Sequence, residues 1–333
     1  MTDNTQVRLA TRPTGLPDDA VWDVTTEAVP EPADGEFLLR TEYVSLDPAM
    51  RGWLNEGRSY IPPVGIGEVM RAGVVGQVVT SRNDRFPEGA HVVATTGVQE
   101  YAVSDGKGVQ VVDADRAPLP TYLGALGLTG LTAYFGLLEV GRPAQGETVV
   151  VSGAAGATGS VAGQIAKIKG CRVVGIAGGE DKCRTVVEQF GFDACLDYKG
   201  GELKAGLRRE APDRIDVYFD NVGGEVLDTV LPGLAMHGRV VLCGAVSQYN
   251  AGKDAKGPAN YMSLLVNRAR MEGFVVFDYA SRYRDALQEM AGWFAEGRLV
   301  SQETVVEGGV RAFPSTLLRL FAGQNTGKLV LKV

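Results

Sequence analysis

A glycine-rich turn between an apolar segment and a helical segment constrains the fold of this chain more than any other feature. The apolar segment ETVVVSG leads into three glycines, Gly153, Gly156 and Gly159, and the helical sequence GSVAGQIAKIKG follows. Counted back from Gly156, the turn reads A-x-G-x-x-G, with Ala154 in the first position. In such turns the first residue forms the tight bend, the second lets backbone approach a pyrophosphate, and the third lets helix and strand pack closely.

The context of this turn favours a nucleotide site. A second apolar segment, RVVGIAG, follows the helix, so that the turn lies within a strand–helix–strand unit. Such a unit directs the N–H groups of the helix N-terminus at the phosphates of a dinucleotide. The alternative is a purely structural strand-to-helix turn.

The residues after the second strand indicate which dinucleotide is held. NAD sites usually carry an Asp or Glu about 20 residues beyond the glycines, but Gly179 occupies that position here. Glycine leaves room for a phosphate, Lys182 and Arg184 add positive charge, and Tyr198 adds a hydroxyl. The pattern favours NADP over NAD; the alternative is that Lys182 is a solvated helix residue.

The kinds of segment that follow one another along the chain predict two domains. The length of 333 residues predicts the same. Before about residue 120, short β-branched segments such as EFLLRTEYVSL and AGVVGQVV predict an all-β region. From Leu123 onward, apolar and helical segments alternate, which is typical of a doubly wound parallel sheet. The final TGKLVLKV has an alternating pattern and predicts a strand that returns to the N-terminal β region.

Composition excludes several classes of protein. A net charge of −7 does not suit a nucleic-acid binder. The start, MTDNTQVRLATRPTG, lacks the apolar core of a signal peptide, and no segment is apolar enough to span a membrane. The four scattered cysteines fit a reducing cytoplasm. With only His91 and His237, and no cysteine before Cys171, the β region lacks the ligands of a Cys–His zinc site; we expect no metal.

The chain also lacks a Tyr-x-x-x-Lys pair placed as in short-chain dehydrogenases. Hydride transfer without a metal, such a pair or an obvious histidine acid favours an acceptor that is already polarised. An enone and a quinone both meet that requirement.

Segments along the whole chain resemble the zinc-free medium-chain dehydrogenase/reductase superfamily and, within it, the leukotriene 12-hydroxydehydrogenase / prostaglandin reductase / curcumin reductase family. They include YVSLDPAMRGW (43–53), LGLTGLTAYFGL (126–137), FDNVGGEVLD (219–228) and NTGKLVLKV (325–333). The resemblance implies an α/β fold of the medium-chain type: a GroES-like β domain (1–124), a Rossmann NADP-binding domain with a doubly wound parallel sheet (125–300), and a return segment (301–333) that completes the first domain. It also implies a homodimer.

The resemblance further implies a set of cofactor contacts. These are Ala155, Gly156, Ala157, Thr158 and Gly159 at the pyrophosphate, Lys182 and Tyr198 at the 2′-phosphate, and Asn221, Cys243, Gly244, Ala245, Tyr249, Phe274, Val275, Val276 and Asn325 along the nucleotide and nicotinamide. Thr129 and Thr132 form a hydroxyl pair near the expected nicotinamide, with helix capping as the alternative. For Cys243 the residue pattern favours a small buried side chain over a nucleophile.

The family reduces the C=C bond of α,β-unsaturated aldehydes and ketones with NADPH, and this is the function we expect. Tyr249 follows the apolar segment RVVLCGAV, where ligands of open α/β sheets bind. A tyrosine hydroxyl there can donate a hydrogen bond to an enolate oxygen as charge develops. The alternatives are a tyrosine that stacks on the nucleotide or packs in the loop, with the cofactor ribose or water as the donor.

Four residues of the β region are substrate candidates. Asp47 and Arg51 can orient the substrate or the cofactor carboxamide, or form an ion pair that fixes a loop. Tyr60 can line the pocket or lie at the edge of the core. Ala49 replaces the tyrosine of the family motif DPYMR, which leaves substrate identity open. A quinone reductase and a non-catalytic NADPH-binding protein are the alternative functions.

Overall fold

The computed structural model describes residues 3–251 and 254–333. The chain divides into two compact units, Met1–Leu123 with Glu303–Val333, and Gly124–Gln302. Below they are the β unit and the nucleotide unit. The domain bounds given above stay a prediction.

The β unit consists mainly of short antiparallel strands that are joined by turn-rich connections. A two-stranded sheet joins β1 and β2, and a larger sheet has the order β14-β15-β3-β4-β5-β7, with β6 also paired to β3. Its strands are β1 (Asp3–Leu9), β2 (Trp22–Ala28), β3 (Phe37–Ser45), β4 (Val74–Ser81), β5 (His91–Ala94), β6 (Tyr101–Ser104), β7 (Gln110–Val112), β14 (Glu303–Val306) and β15 (Lys328–Lys332), and its helices are α1 (Met50–Trp53) and α9 (Phe313–Phe321).

The C-terminal strand returns to the β unit, as its sequence predicted. β15 pairs antiparallel with β3, where Val330 faces Ser45, and parallel with β14. The expected alternation is wrong in detail, because Lys328 through Leu331 are all buried. Both faces of this strand are covered, because Leu329 and Leu331 join one apolar cluster while Val330, which points to the opposite face, joins another.

The nucleotide unit is a parallel sheet flanked by helices. The strand order is β10-β9-β8-β11-β12-β13, and every pairing in it is parallel. This is the order of a doubly wound Rossmann sheet. Its strands are β8 (Thr148–Ser152), β9 (Arg172–Ala177), β10 (Ala194–Asp197), β11 (Ile215–Asp220), β12 (Leu234–Leu242) and β13 (Arg270–Gly273), and its helices are α2 (Leu128–Phe135), α3 (Ala157–Ile168), α4 (Glu180–Glu188), α5 (Leu203–Glu210), α6 (Gly224–Val230), α7 (Met262–Val266) and α8 (Tyr283–Ala295).

One predicted helix is shorter than its sequence suggested. Among the alternating segments after Leu123, the sequence EVLDTVLPGLAMHG has the pattern of a helix along its whole length, but α6 ends at Val230 and β12 begins at Leu234. Pro232 lies in the short 3-10 turn between them, where its missing N–H and its ring prevent the α-helix from continuing. Helices α8 and α9 were not among the elements predicted from the sequence.

Candidate functional site

The glycine-rich turn joins β8 to α3 and has the geometry of a phosphate cradle. Gly156 is the N-cap of α3, and no side chain among the described residues caps that end of the helix. The first N–H groups of an α-helix have no partner within the helix. In this helix they belong to Ala157, Thr158 and Gly159, so a pyrophosphate is the kind of group that the turn accommodates.

The tight bend of this turn lies one residue earlier than the sequence analysis placed it. Gly153 has a φ of +59°, whereas Ala154 is fully buried without a positive φ. The prediction that Ala154 forms the bend is therefore wrong, since a left-handed residue is needed and glycine adopts that conformation without strain. Gly159 does serve close packing, because a Cβ there would lie 2.3 Å from the Gly153 carbonyl oxygen.

A buried carboxylate braces the turn from the neighbouring strand β11. Asp220 is fully buried and accepts hydrogen bonds from Ser152 Oγ at 2.7 Å and Tyr218 Oη at 2.8 Å. Asn221 donates from its side-chain nitrogen Nδ2 to the Ser152 carbonyl at 2.6 Å. The candidate cofactor residue Asn221 is thus fixed to the end of β8. Asp220 and Ser152 were not predicted as site residues, because their only signal in the sequence is their position at the ends of two strands.

Basic and hydroxyl side chains lie beside the end of β9: Lys182 on α4, and Tyr198 and Lys199 in the turn after β10. We call these three residues the basic cluster. A Cβ on Gly178 would lie 3.0 Å from the Tyr198 hydroxyl and 3.1 Å from Lys199 Cε. Burial, and then the charge of Lys199, lowers the pKa of Lys182. Asp197 Oδ1 accepts from the Gly179 N–H at 2.8 Å, which holds the turn in place.

The basic cluster adds one residue to the prediction. Lys199 was missed, because the sequence alone does not show that the end of β10 lies beside Gly178. Arg184, which was also expected to add positive charge, pairs with Asp181 at 3.4 Å in an exposed ion pair, and its role toward a phosphate stays a prediction. The arrangement of two lysines and a phenol around glycine backbone suits a phosphate group.

The segment after β12 contains the candidate catalytic residue. Cys243 and Gly244 donate their N–H groups to the Asp220 carbonyl at 2.9 and 3.1 Å. The Tyr249 hydroxyl accepts from the Ala245 N–H at 3.2 Å, so the phenol lies against residues 244 and 245 of the same loop. Burial around the thiol, and then Asp220, raises the pKa of Cys243 to about 12, and its thiol therefore stays protonated at neutral pH.

The remaining candidates of the nucleotide unit lie in helices or in apolar packing. Thr132 Oγ1 donates to the Leu128 carbonyl of its own helix at 2.8 Å, a bond to the fourth preceding residue and not the helix cap that the sequence analysis held open. The Phe274 ring lies against Gly136, where a Cβ would be 2.4 Å from Cζ. Val276 is buried with Leu131 in an apolar cluster. Roles for Thr129, Val275 and Val276 at a cofactor stay predictions.

In the β unit, Asp47 and Arg51 hold loops. Asp47 accepts from Lys328 Nζ at 2.6 Å and from the Ser45 hydroxyl. Arg51 donates from Nε to the Gly15 carbonyl at 2.9 Å and from Nη1 to Asn55 Oδ1 at 2.5 Å. Both residues therefore fix loops, but the ion pair of Asp47 is with Lys328 rather than the expected one with Arg51. Roles for Asp47 and Arg51 toward substrate stay predictions.

Three further candidates of the β unit are Ala49, Tyr60 and Asn325. Ala49 is the N-cap of α1 and makes no side-chain cap. Tyr60 is 56% exposed. Asn325 donates from Nδ2 to the Gly327 carbonyl at 2.8 Å. Their roles toward substrate or cofactor stay predictions.

Comparison with known proteins gives the family. Residues 5–112 match the family described as the N-terminal domain of oxidoreductase, and residues 157–292 match that described as zinc-binding dehydrogenase. The chain is 42% identical over 331 residues to the NADPH-dependent curcumin reductase of Escherichia coli, covering 98% of this chain and 95% of that protein. The chain belongs to this family of NADPH-dependent reductases, within the medium-chain dehydrogenase/reductases.

Two further relatives agree with this membership. The chain is 38% identical over 338 residues to the NADP-dependent 2-alkenal reductase of Nicotiana tabacum, covering 99% of this chain and 97% of that protein. The crystal structure of CurA from Vibrio vulnificus in complex with NADPH superposes with a TM-score of 0.93 at 44% identity, covering 99% of both chains. The predicted medium-chain fold, with its GroES-like and Rossmann parts, is confirmed.

The description of one matched family mentions zinc, which the sequence analysis did not expect. Within residues 3–251 and 254–333, no three His, Cys, Asp or Glu side chains are grouped so as to hold a metal ion. Zinc independence stays an expectation for this member of the family. No helix in the described part of the chain is long and apolar enough to cross a membrane, and the cytoplasmic location likewise stays a prediction.

Proposed function

We propose that this reductase uses NADPH to reduce the C=C bond of an α,β-unsaturated ketone or aldehyde. The observation that carries the proposal is the basic cluster at the end of β9, in the same sheet as the phosphate cradle after β8. A cradle alone suits any dinucleotide, whereas two lysines and a phenol suit the 2′-phosphate of NADPH. The names of the curcumin and 2-alkenal reductases support an activated alkene as the substrate.

Different residues of the chain hold different parts of the cofactor. The N–H groups at the start of α3 bind the pyrophosphate, and Lys182, Tyr198 and Lys199 bind the 2′-phosphate. The Ser152–Asp220 pair fixes the cradle so that little reorganisation is needed on binding. Bound NADPH supplies a hydride to the β-carbon of the alkene.

Tyr249 is our proposed hydrogen-bond donor to the substrate. Reduction at the β-carbon leaves an enolate, whose oxygen carries the developing charge. A phenol remains protonated at neutral pH and can donate there. The contact of the Tyr249 hydroxyl with the Ala245 N–H orients the phenol within its loop, which is the kind of support that a positioned donor requires.

The deciding experiment follows oxidation of NADPH and NADH in the presence of a simple enone and of a quinone, with products identified by mass and NMR. We expect a saturated ketone, with NADPH preferred. Hydroquinone from the quinone without turnover of the enone would favour the quinone reductase. Tight NADPH binding without turnover of any activated alkene would favour the non-catalytic protein. Tyr249→Phe should lower kcat with the enone, and unchanged turnover would remove Tyr249 from the mechanism.

The homodimer also belongs to the proposal. Among the described residues, β13 pairs only with β12 and forms an open edge of the sheet. On α7, Met262, Leu265 and Val266 are 50%, 68% and 66% exposed. An open strand edge and exposed apolar side chains are suited to pairing between copies. Light scattering on the purified protein should give twice the mass of 35.3 kDa, and Leu265→Asp should lower it toward one copy.

A further inference from the structure

Two cysteines from different elements of the nucleotide unit lie in contact. Cys183 is on α4, Cys195 is on β10, and their sulfur atoms are 3.0 Å apart. Both residues are partly exposed. A disulfide bond is about 2.05 Å long, so the two sulfur atoms need to approach by only about 1 Å. The other two cysteines, Cys171 and Cys243, have no comparable sulfur contact among the described residues.

We propose that Cys183 and Cys195 are a site of reversible oxidation, at which an intramolecular disulfide links α4 to β10 and changes the affinity for NADPH. The oxidant is a low-molecular-weight disulfide, and a thiol reductant reverses the reaction. Neither cysteine has a role in the reduction proposed above. The pair is therefore a modification site additional to the cofactor site.

The chemistry is two successive thiol–disulfide exchanges. The Cys183 thiolate attacks one sulfur of the oxidant and expels a thiolate, which leaves Cys183 in a mixed disulfide. The Cys195 thiolate then attacks the sulfur of Cys183 and expels the second thiolate. The two protein thiols lose two electrons and two protons, and the oxidant leaves as two small thiols.

The surroundings of the pair set the order and the speed of these steps. Burial raises the pKa of Cys183, and the hydrogen bond from Cys195 acts in the opposite direction. Burial raises the pKa of Cys195 further, and its hydrogen bond to Cys183 adds to that effect. Cys183 is therefore the first thiol to ionise, and oxidation should be slow at neutral pH and faster as pH rises.

The link to NADPH comes from the position of the pair in the chain, and it rests on the proposed function. Lys182 precedes Cys183 directly, and Asp197, which holds the Gly179 turn, lies two residues after Cys195. Drawing the sulfurs together moves the first turn of α4 toward β10. Lys182 then changes its position relative to Tyr198 and Lys199, and the binding of a 2′-phosphate changes with it.

The test uses the full chain treated with 2-hydroxyethyl disulfide at pH 8.5, followed by mass spectrometry of intact protein and of peptides prepared without reductant. We expect a loss of 2 Da, a linked peptide pair containing Cys183 and Cys195, and full reversal by a phosphine reductant. Cys183→Ser and Cys195→Ser should abolish this loss, whereas Cys171→Ala should retain it. Persistent mixed disulfides on both cysteines, or a bond involving another cysteine, would overturn the modification site.

The second measurement compares the Kd of NADPH and of NADH for oxidised and reduced protein. We expect a change of several-fold in the Kd of NADPH with that of NADH constant, and no response in Cys183→Ser. An unchanged ratio of the two Kd values would overturn the effect on cofactor affinity. Equal binding of NADPH and NADH by the reduced protein would instead contradict the proposed function, while the mass measurement still decides the disulfide.

Discussion

Lys328 Nζ lies 2.6 Å from Asp47 Oδ1, and only 2% of the lysine side chain is exposed against 29% of the aspartate. The same ammonium group donates to the Leu46 carbonyl at 2.9 Å. Because Lys328 starts β15 and Asp47 follows β3, the pair fastens the returning strand to the loop that leads into α1. Ala49, a substrate candidate of the sequence analysis, is the N-cap of α1 at the end of that loop, and Arg51, another candidate, lies within α1.

The unequal burial of this pair predicts unequal effects of removing its members. Asp47→Ala leaves a buried ammonium without its carboxylate, which should lower the free energy of unfolding by about 3–5 kcal/mol. Lys328→Met keeps most of the aliphatic volume and leaves a carboxylate that water reaches, so the loss should be about 1–2 kcal/mol. Urea unfolding of both variants checks the order.

The matched control lies on the same strand. Lys332 pairs with Glu307 at 3.2 Å, and both side chains are exposed. Since exposed pairs contribute about 0–1 kcal/mol, Lys332→Met should unfold within that range of the parent protein. A larger effect for Lys332→Met than for Asp47→Ala would contradict the role given to burial.

Gly159 predicts a steric requirement of the phosphate cradle. In Gly159→Ala the new Cβ would be placed 2.3 Å from the Gly153 carbonyl oxygen and 3.1 Å from Ala154 Cα, so the turn must open. We expect a loss of about 1–3 kcal/mol in stability together with weaker binding of both NADPH and NADH. Thermal unfolding and cofactor titration measure the two effects.

The control for this substitution is another helical glycine. Gly292 of α8 is exposed, and a Cβ there meets no atom of the described part of the chain within 4 Å. Gly292→Ala should therefore stabilise the protein by about 0.5–1 kcal/mol, since alanine loses less backbone entropy in a helix. If both variants behaved alike, the close approach at Gly159 would not be the cause.

The sequence predicted the fold better than it predicted the contacts. Glycine spacing and alternating apolar segments were sufficient for the parallel sheet and the phosphate turn, because these patterns act over a few residues. They did not show that Gly153 rather than Ala154 carries the bend, since either alignment leaves a glycine near the strand end. Pro232 was visible in the sequence, and its effect on the end of α6 followed from the helix geometry that proline disrupts.

Asp220 predicts a second stability effect close to the cradle. Its Oδ1 accepts from Ser152, Tyr218 and the Val222 N–H, the last at 3.0 Å. Asp220→Asn removes the charge that these donors share and places an N–H₂ group among them. We expect a loss of about 1–3 kcal/mol, and weaker NADPH binding, because Asn221 and Ser152 lose their support.

Tyr218→Phe serves as the comparison within the same network. It removes one donor, and the carboxylate of Asp220 keeps its others, so the loss should be about 1 kcal/mol. Denaturant titrations of both variants measure the two losses in the free energy of unfolding. A Tyr218→Phe variant less stable than Asp220→Asn would place the centre of the network at the tyrosine instead.

Contacts between residues that are distant in the sequence could not be predicted, for a physical reason. Lys199 and Lys182 are 17 positions apart, and only the pairing of β9 with β10 places Lys199 beside Gly178. Lys328 and Asp47 are 281 positions apart. No local pattern encodes such contacts, whereas the motif around Lys182 and Tyr198 was recognisable through the family resemblance.

The basic cluster predicts how cofactor preference depends on pH. Burial, and then the charge of Lys199, lowers the pKa of Lys182, whereas a bound phosphate favours the charged lysine. As pH rises through this lowered pKa, Lys182 loses its charge at a pH below the ordinary lysine value of about 10.4. The Kd of NADPH should therefore rise in that range while the Kd of NADH stays constant. Fluorescence titration of both cofactors between pH 7 and 10 measures the difference.

Lys199→Met separates the two effects of that lysine. Loss of a charged contact with the 2′-phosphate should raise the Kd of NADPH at pH 7 by about tenfold, with little change for NADH. Loss of the like charge should bring the pKa of Lys182 closer to its ordinary value, so that the alkaline decline begins at higher pH. Lys167→Met removes a charge from the last turn of α3, far along the helix from the phosphate cradle. This variant should change neither the Kd of NADPH at pH 7 nor the pH at which NADPH binding declines. A tenfold loss for NADH as well would mean that Lys199 supports the fold of the turn rather than the phosphate.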